Sequence, residues 1–113
     1  MPAERPDWAN DKLGRRWWDF HCAHPEVYDT LERLLWRLVR KGYHHMGIAM
    51  LWETLRYETL LGAGPGEDVV RLNNNHRALY ARYLMESDPE LAGIFEVRRR
   101  QGPVVVKRLP PTL

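Results

Sequence analysis

The sequence predicts a mostly helical α+β domain of the winged helix-turn-helix type, with three helices followed by a C-terminal β-hairpin. Apolar residues recur at helical spacing in three stretches between residues 25 and 86. Two β-prone runs, residues 95–100 and 104–108, flank a turn at residues 101–103. Three helices followed by a hairpin is the element order of winged helix-turn-helix domains, so we expect that fold.

Length and composition limit the classes of protein that remain. A chain of 113 residues allows one domain, and 44% apolar residues can form a core without disulfides. The single cysteine excludes an intramolecular disulfide and a multi-cysteine zinc site. The apolar runs are too short for a spanning helix, and residues 1–8 do not resemble a signal peptide. We therefore expect a soluble intracellular protein.

Residues 1–19 are predicted to form an N-terminal arm, because prolines, Asn10 and Gly14 interrupt any regular period. The domain is then expected over residues 20–109, with a short tail at residues 110–113. Tryptophans are frequent in the arm, and we expect the chain from Trp17 onward to pack on the domain. Trp8 either packs there or contacts a partner. Tryptophan beside arginine also suits stacking on single-stranded nucleic acid or contact with a protein.

The first predicted helix begins at Pro25, because proline suits the first helical position and Glu26 suits the positive end of the helix dipole. Gly42 ends this helix. Basic residues in its last turns either complement the dipole or contact phosphates. The second helix is predicted over residues 47–61, and a glycine-rich loop follows it. The apolar stripe of the first helix comprises Val27, Leu31, Leu34, Leu35 and Leu38. The stripe of the second helix comprises Ile48, Leu51, Trp52, Leu55 and Thr59.

The third predicted helix follows three consecutive asparagines, residues 73–75, and extends to about Glu86. One asparagine suffices for an N-cap, and capping alone remains an open explanation for all three. Asparagine also pairs with adenine, and arginine with guanine. The connection before this helix, about ten residues, is longer than a helix-turn-helix turn. The candidate DNA contacts on this helix are Asn74, Asn75, Arg77 and Arg82.

The net charge of +2 hides an uneven distribution. From residue 97 to 113 there are five basic residues and no acidic ones. Such a cluster is typical of phosphate-binding surfaces, although a solvated, solubilising tail explains it equally well. The candidate phosphate contacts are Arg98, Arg99, Arg100, Lys107 and Arg108.

The sequence contains no pattern that indicates catalysis, a metal or a cofactor. His21 and His24 flank Cys22 too closely for the usual zinc spacings, and His44 and His45 are adjacent. Residues 62–66 are glycine-rich, but they lack the lysine of a phosphate-binding loop and follow a helix. We therefore expect no enzyme.

Three stretches resemble a family of small proteins, with no established activity, that tailed bacteriophages and prophages encode. They are residues 20–31 (FHCAHPEVYDTL), 47–58 (GIAMLWETLRYE) and 72–98 (LNNNHRALYARYLMESDPELAGIFEVR). The LNNN-x4-YAR-x2-M pattern, followed by Pro-x-Leu-Ala-Gly, is the most specific part. The resemblance covers about two-thirds of the chain. It implies a phage or prophage setting in the host bacterial cytoplasm and transfers no site residues.

The leading hypothesis is a phage-type regulatory protein that binds duplex DNA, with the third helix in the major groove and the hairpin on phosphates. A homodimer would compensate for the nearly neutral charge. The alternative is a phage-encoded protein-binding module that inhibits or redirects a host or phage protein through its tryptophan-rich arm and basic tail. A positive face shared by the third helix and the hairpin favours DNA. Neutralisation of that face by Glu86, Asp88 and Glu96 favours a protein partner.

Overall fold

The computed structural model describes residues 4–96, which form four α-helices joined by short 3₁₀ turns and loops. The helices are α1 (Lys12–Ala23), α2 (Pro25–Arg40), α3 (Ile48–Gly62) and α4 (Arg77–Ser87). Helix α2 packs against α1 and α3, and α3 packs against α4. Within residues 4–96, no helix is both long enough and apolar enough to cross a membrane.

The predicted winged-helix fold is wrong. The described residues contain four helices rather than three, and they contain no β-strand. Phe95, which begins the predicted hairpin, makes an isolated parallel bridge with Met46 instead. Ile94 and Phe95 are each 97% buried, so packing on the helical core, rather than β-propensity, decides their position. The remainder of the hairpin, residues 97–113, lies outside the described residues.

The additional helix is α1, and its first two turns occupy residues assigned above to the arm. It begins at Asp11, whose side-chain oxygen accepts a hydrogen bond of 2.8 Å from the amide of Gly14. Gly14 does not break the helix. A Cβ atom at this position would lie 2.5 Å from the backbone of Ala9, so glycine allows the N-terminal segment to pack closely on α1.

Helix α2 begins at Pro25, as the sequence predicts, and its apolar stripe is buried except for Leu38, which is half-buried. Gly42 follows it with a φ of 102°, which favours glycine. Helix α4 is the last helix of the described residues. Tyr80, Ala81 and Leu84 are its buried residues, because α4 packs on α3 and on the turn that follows α4.

Aromatic side chains fill much of the core. Trp17 of α1, Trp52 of α3 and Tyr80 of α4 are fully buried, and the ring of Tyr80 contacts the rings of both tryptophans. The ring of His21 packs against Trp17 and Tyr80, and the ring of His76 against Phe20. His76 is therefore buried with the core, and the half-buried ring of His21 packs at its edge.

Stability is expected to fall as the pH is lowered from 7.5 to 5.5, because burial lowers the pKa of both His21 and His76. The unfolded chain binds these protons near the ordinary histidine pKa of about 6.5, whereas the folded protein binds them only at lower pH. Stability is therefore complete above that value and is lost below it. Thermal unfolding should show a lower Tm at pH 5.5 than at pH 7.5.

Variants of His21 and His76 separate their contribution to the pH dependence of Tm from that of the rest of the protein. His21→Gln with His76→Gln should flatten the pH dependence of Tm over this range. His21→Gln or His76→Gln alone should flatten it in part. An unchanged pH dependence in the double variant would show that burial of the two rings is not the cause.

Candidate nucleic-acid interface

The three asparagines before α4 have different roles. Asn73 caps the 3₁₀ turn of residues 74–76 that leads into α4, because its side-chain oxygen accepts a hydrogen bond of 2.9 Å from the amide of Asn75. The side-chain oxygen of Asn74 accepts from Nε1 of Trp52 at 3.0 Å and from Arg56 at 2.7 Å. Asn74 therefore joins α4 to α3. Asn75 is exposed, and its side chain makes no hydrogen bond within the described residues.

Arg82 lies on the exposed side of α4 beneath the N-terminal segment. Its guanidinium carbon is 4.5 Å from the ring centroid of Trp8, and its Nε is 3.4 Å from Oε2 of Glu86. Nε1 of Trp8 donates to the other oxygen of Glu86 at 2.9 Å. Trp8 also stacks on Trp17, with the ring centroids 5.5 Å apart. Arg82 and Trp8 are therefore held by contacts within the protein.

The surface of α4 consequently offers little unopposed positive charge. Glu86 neutralises Arg82, and Glu96 pairs with His45 at 3.2 Å. Arg77 is half-buried and makes no ion pair within residues 4–96. By the criterion stated above, α4 alone favours a protein partner. Of the predicted contacts on this helix, the side chains of Asn75 and Arg77 remain available.

A positive surface is present on α2 instead. It consists of four exposed basic residues on the side of α2 opposite the buried stripe. None of the four makes an ion pair or side-chain hydrogen bond within the described residues. Their spacing of four, three and one residues places them on one face, about 12 Å long at 1.5 Å per residue. We call this surface the α2 basic face, and it comprises Arg33, Arg37, Arg40 and Lys41.

Glu96, the last described residue, contacts the loop that follows α2. The amide of Met46 donates to the carbonyl of Ile94 at 2.9 Å, and Nε2 of His45 lies 3.2 Å from Oε1 of Glu96. His45 is only four residues beyond Lys41. Arg98, Arg99 and Arg100 follow Glu96 by two to four residues, which is at most about 14 Å of chain. Residues 97–113 themselves, Lys107 and Arg108 included, lie outside the described residues.

The positive charge of the α2 basic face contrasts with the net negative charge of residues 1–96 as a whole. Twelve basic and fifteen acidic residues precede residue 97, so the domain without its last segment is slightly acidic. Arg33 is not among the predicted basic residues, because only the last turns of this helix were considered, with dipole complementation and phosphate contact both open. Its spacing of four residues from Arg37 and seven from Arg40 is the signal that could have found it.

Neither metal coordination nor similarity to other proteins adds to this site. Within residues 4–96, no three histidine, cysteine, aspartate or glutamate side chains are grouped so that they could hold a metal ion. Comparisons of the chain with protein-family models, curated proteins and solved structures found no match.

Proposed function

We propose that this is a non-enzymatic protein that binds duplex DNA through phosphates, using the α2 basic face together with the basic residues of segment 97–113. The observation that carries the proposal is the position of Glu96. Its contact with His45 joins the last described residue to the loop that follows α2, and Arg98, Arg99 and Arg100 come soon after Glu96 in sequence. A phage setting in the bacterial cytoplasm and a regulatory role are part of the proposal.

The chemistry of these residues suits a phosphate backbone. Arginine presents several N–H donors in a planar fork that matches phosphate oxygens, and it stays charged at all physiological pH values. Tyr43, just beyond Lys41, is 58% exposed and adds an aromatic ring beside the basic residues. The available side chains of Asn75 and Arg77 are the remaining candidates for contact with base edges.

Neutralising the α2 basic face is expected to weaken DNA binding and reduce its dependence on salt. In Arg33→Gln/Arg37→Gln/Arg40→Gln, three phosphate contacts are lost. The slope of log affinity against log salt concentration should therefore fall by about 3. Affinity at about 0.1 M salt should fall at least tenfold. Fluorescence anisotropy of a labelled duplex of about 20 base pairs, titrated at several salt concentrations, measures both quantities.

A variant with the same change in net charge provides the control. Lys12→Gln/Arg15→Gln/Arg16→Gln removes three exposed basic residues from α1, which lie away from the α2 basic face in sequence. It should lower the salt slope by less than about 1. Arg98→Gln/Arg99→Gln/Arg100→Gln should resemble the α2 variant. Equal losses in the α1 and α2 variants would mean that net charge alone governs binding, and the proposed interface would be wrong.

A further inference from the structure

The connection between α3 and α4 contains a straight segment whose backbone groups are unpaired. Residues 67–73 run without helix, turn or bend, and Asn73 at their end has extended dihedral angles, with φ −93° and ψ 117°. Within residues 4–96, no amide or carbonyl of residues 69–72 makes a hydrogen bond to another backbone group. The segment begins with two valines, which favour the β conformation. We call residues 69–72 the edge segment, because they resemble a β-strand without a neighbouring strand.

A groove lies between the edge segment and α3. Its volume is about 400 Å³, which is within the range of sites that bind ligands. Leu60 on the α3 side is 58% exposed, so the groove is open to solvent. An extended chain lying in this groove is therefore beside both the unpaired backbone and an apolar wall. The apolar lining residues are Leu60, Val69, Val70 and Leu72.

Both charged side chains that line the groove are arginines. Arg56 donates to Glu53, so its charge is already neutralised. Arg71 is exposed and makes no ion pair or side-chain hydrogen bond within the described residues. Glu67 and Asp68 precede the edge segment in the chain, but neither lines the groove. The charge left to pair with an occupant is therefore that of Arg71.

We propose that an extended segment of a partner protein binds in this groove, pairs with the backbone of the edge segment as an added β-strand, and places a carboxylate at Arg71. Unpaired strand edges bind other chains in this way. Main-chain hydrogen bonds supply affinity, and contacts of alternate side chains supply specificity. Apolar side chains of the occupant fit the lining, and a glutamate or aspartate matches the planar N–H donors of a guanidinium.

Two segments of the protein itself suit the groove less well. Segment 97–113 has five basic residues and no acidic ones, so Arg71 would repel it. A second copy that paired its own edge segment here would bring two copies of Arg71 close together. The unpaired charge therefore favours a different protein, with a carboxylate in the segment that binds.

Synthetic peptides test the chemistry of the occupant. Each is about eight residues long, with valine at alternate positions and threonine between them, and two of the threonines are replaced by glutamate or by lysine. In fluorescence anisotropy, the glutamate peptide should bind the full chain with a Kd in the micromolar range, and the lysine peptide about tenfold more weakly. Equal affinity of the two peptides, or tighter binding of the lysine peptide, would overturn the proposal.

Methylated peptides test the backbone pairing. Alternate amides of a β-strand donate to the same neighbouring strand, so methylation of one alternate set blocks pairing on one side only. Two versions of the glutamate peptide, each N-methylated at one of the two sets, should therefore differ in affinity about tenfold. If the two versions bind equally, no strand is added to the edge segment and the proposal is wrong.

Variants of the protein locate the binding. Arg71→Gln should reduce the preference for the glutamate peptide from about tenfold to about twofold. Arg16→Gln, which removes an exposed arginine from α1, should leave this preference unchanged. Leu60→Gln should weaken binding of the glutamate peptide about fivefold, because an apolar contact in the groove is lost. Leu61→Gln, at a neighbouring residue that is 64% exposed and does not line the groove, should leave it unchanged.

Equal effects within either pair of variants would contradict the proposed site. DNA binding by Leu60→Gln should equal that of the unmodified protein, because the groove does not belong to the α2 basic face. The peptide site and the DNA site can therefore fail independently of each other.

Discussion

Trp17→Ala is expected to lower the free energy of unfolding by about 4 kcal/mol, the range typical of a large aromatic residue removed from a core. Trp17 is fully buried, and its ring stacks on Trp8 and meets the rings of Tyr80 and Tyr83 edge-on. Its Nε1 has no hydrogen-bond partner within the described residues. The free energy of unfolding therefore falls because packing is lost. Trp17 joins α1 and the N-terminal segment to α4, and its removal separates them.

Urea unfolding followed by far-UV circular dichroism measures this effect. The midpoint should fall by about 2 M, given the dependence on urea typical of a chain this size. Trp17→Phe should lose markedly less, because it keeps an aromatic ring in the same site. Tyr57→Ala, at a residue that is 62% exposed, should change the free energy of unfolding by less than about 0.5 kcal/mol. A loss below about 1 kcal/mol for Trp17→Ala would show that α1 is not part of the core.

Gly14→Ala is expected to destabilise the protein by about 2 kcal/mol, although the same change inside most helices stabilises by about 1 kcal/mol. The added Cβ would lie 2.5 Å from the carbonyl carbon and oxygen of Ala9 and 2.6 Å from its Cα. These are backbone atoms, so no flexible side chain can move aside. The segment containing Ala9 and Trp8 has to shift away from α1, which also disturbs the stacking of Trp8 on Trp17.

Gly62→Ala is the matched control, because Gly62 ends α3 and a Cβ there would meet nothing within 4 Å. It should leave the urea midpoint unchanged or raise it slightly. If Gly14→Ala were as stable as Gly62→Ala, close packing of the N-terminal segment on α1 would not occur in solution. Thermal unfolding of the two variants under identical conditions gives an independent comparison.

The N-terminal region shows where reasoning from the sequence fails. Gly14 and the nearby prolines indicate an irregular arm, and local propensity supports that interpretation. The helix forms because Asp11 caps it and Trp17 enters the core. Glycine is required there by a contact with Ala9, and such a contact is invisible to any analysis of local pattern.

At the candidate site, too, the local sequence pattern identifies residues without revealing their tertiary contacts. Their types and spacing identify Asn74, Asn75, Arg77 and Arg82 as possible DNA contacts. Spacing does not reveal that Asn74 bonds to Trp52 and Arg56, or that Trp8 and Glu86 hold Arg82. The partners of Asn74 are at least 18 residues away, and Arg82 depends on Trp8, far away in sequence, as well as on Glu86 one turn along the helix.

By itself, the sequence determined the start of α2 at Pro25, the apolar stripes of α2 and α3, and an asparagine cap on the turn just before the last helix. These features follow from periodicity and from backbone groups within one turn, which are local. The tertiary structure alone decided that Phe95 pairs with Met46, that α1 joins the core and that Glu96 contacts His45 in the loop after α2. Each of these depends on long-range packing, because burying Ile94, Phe95 and Trp17 outweighs the weak local preferences of their segments.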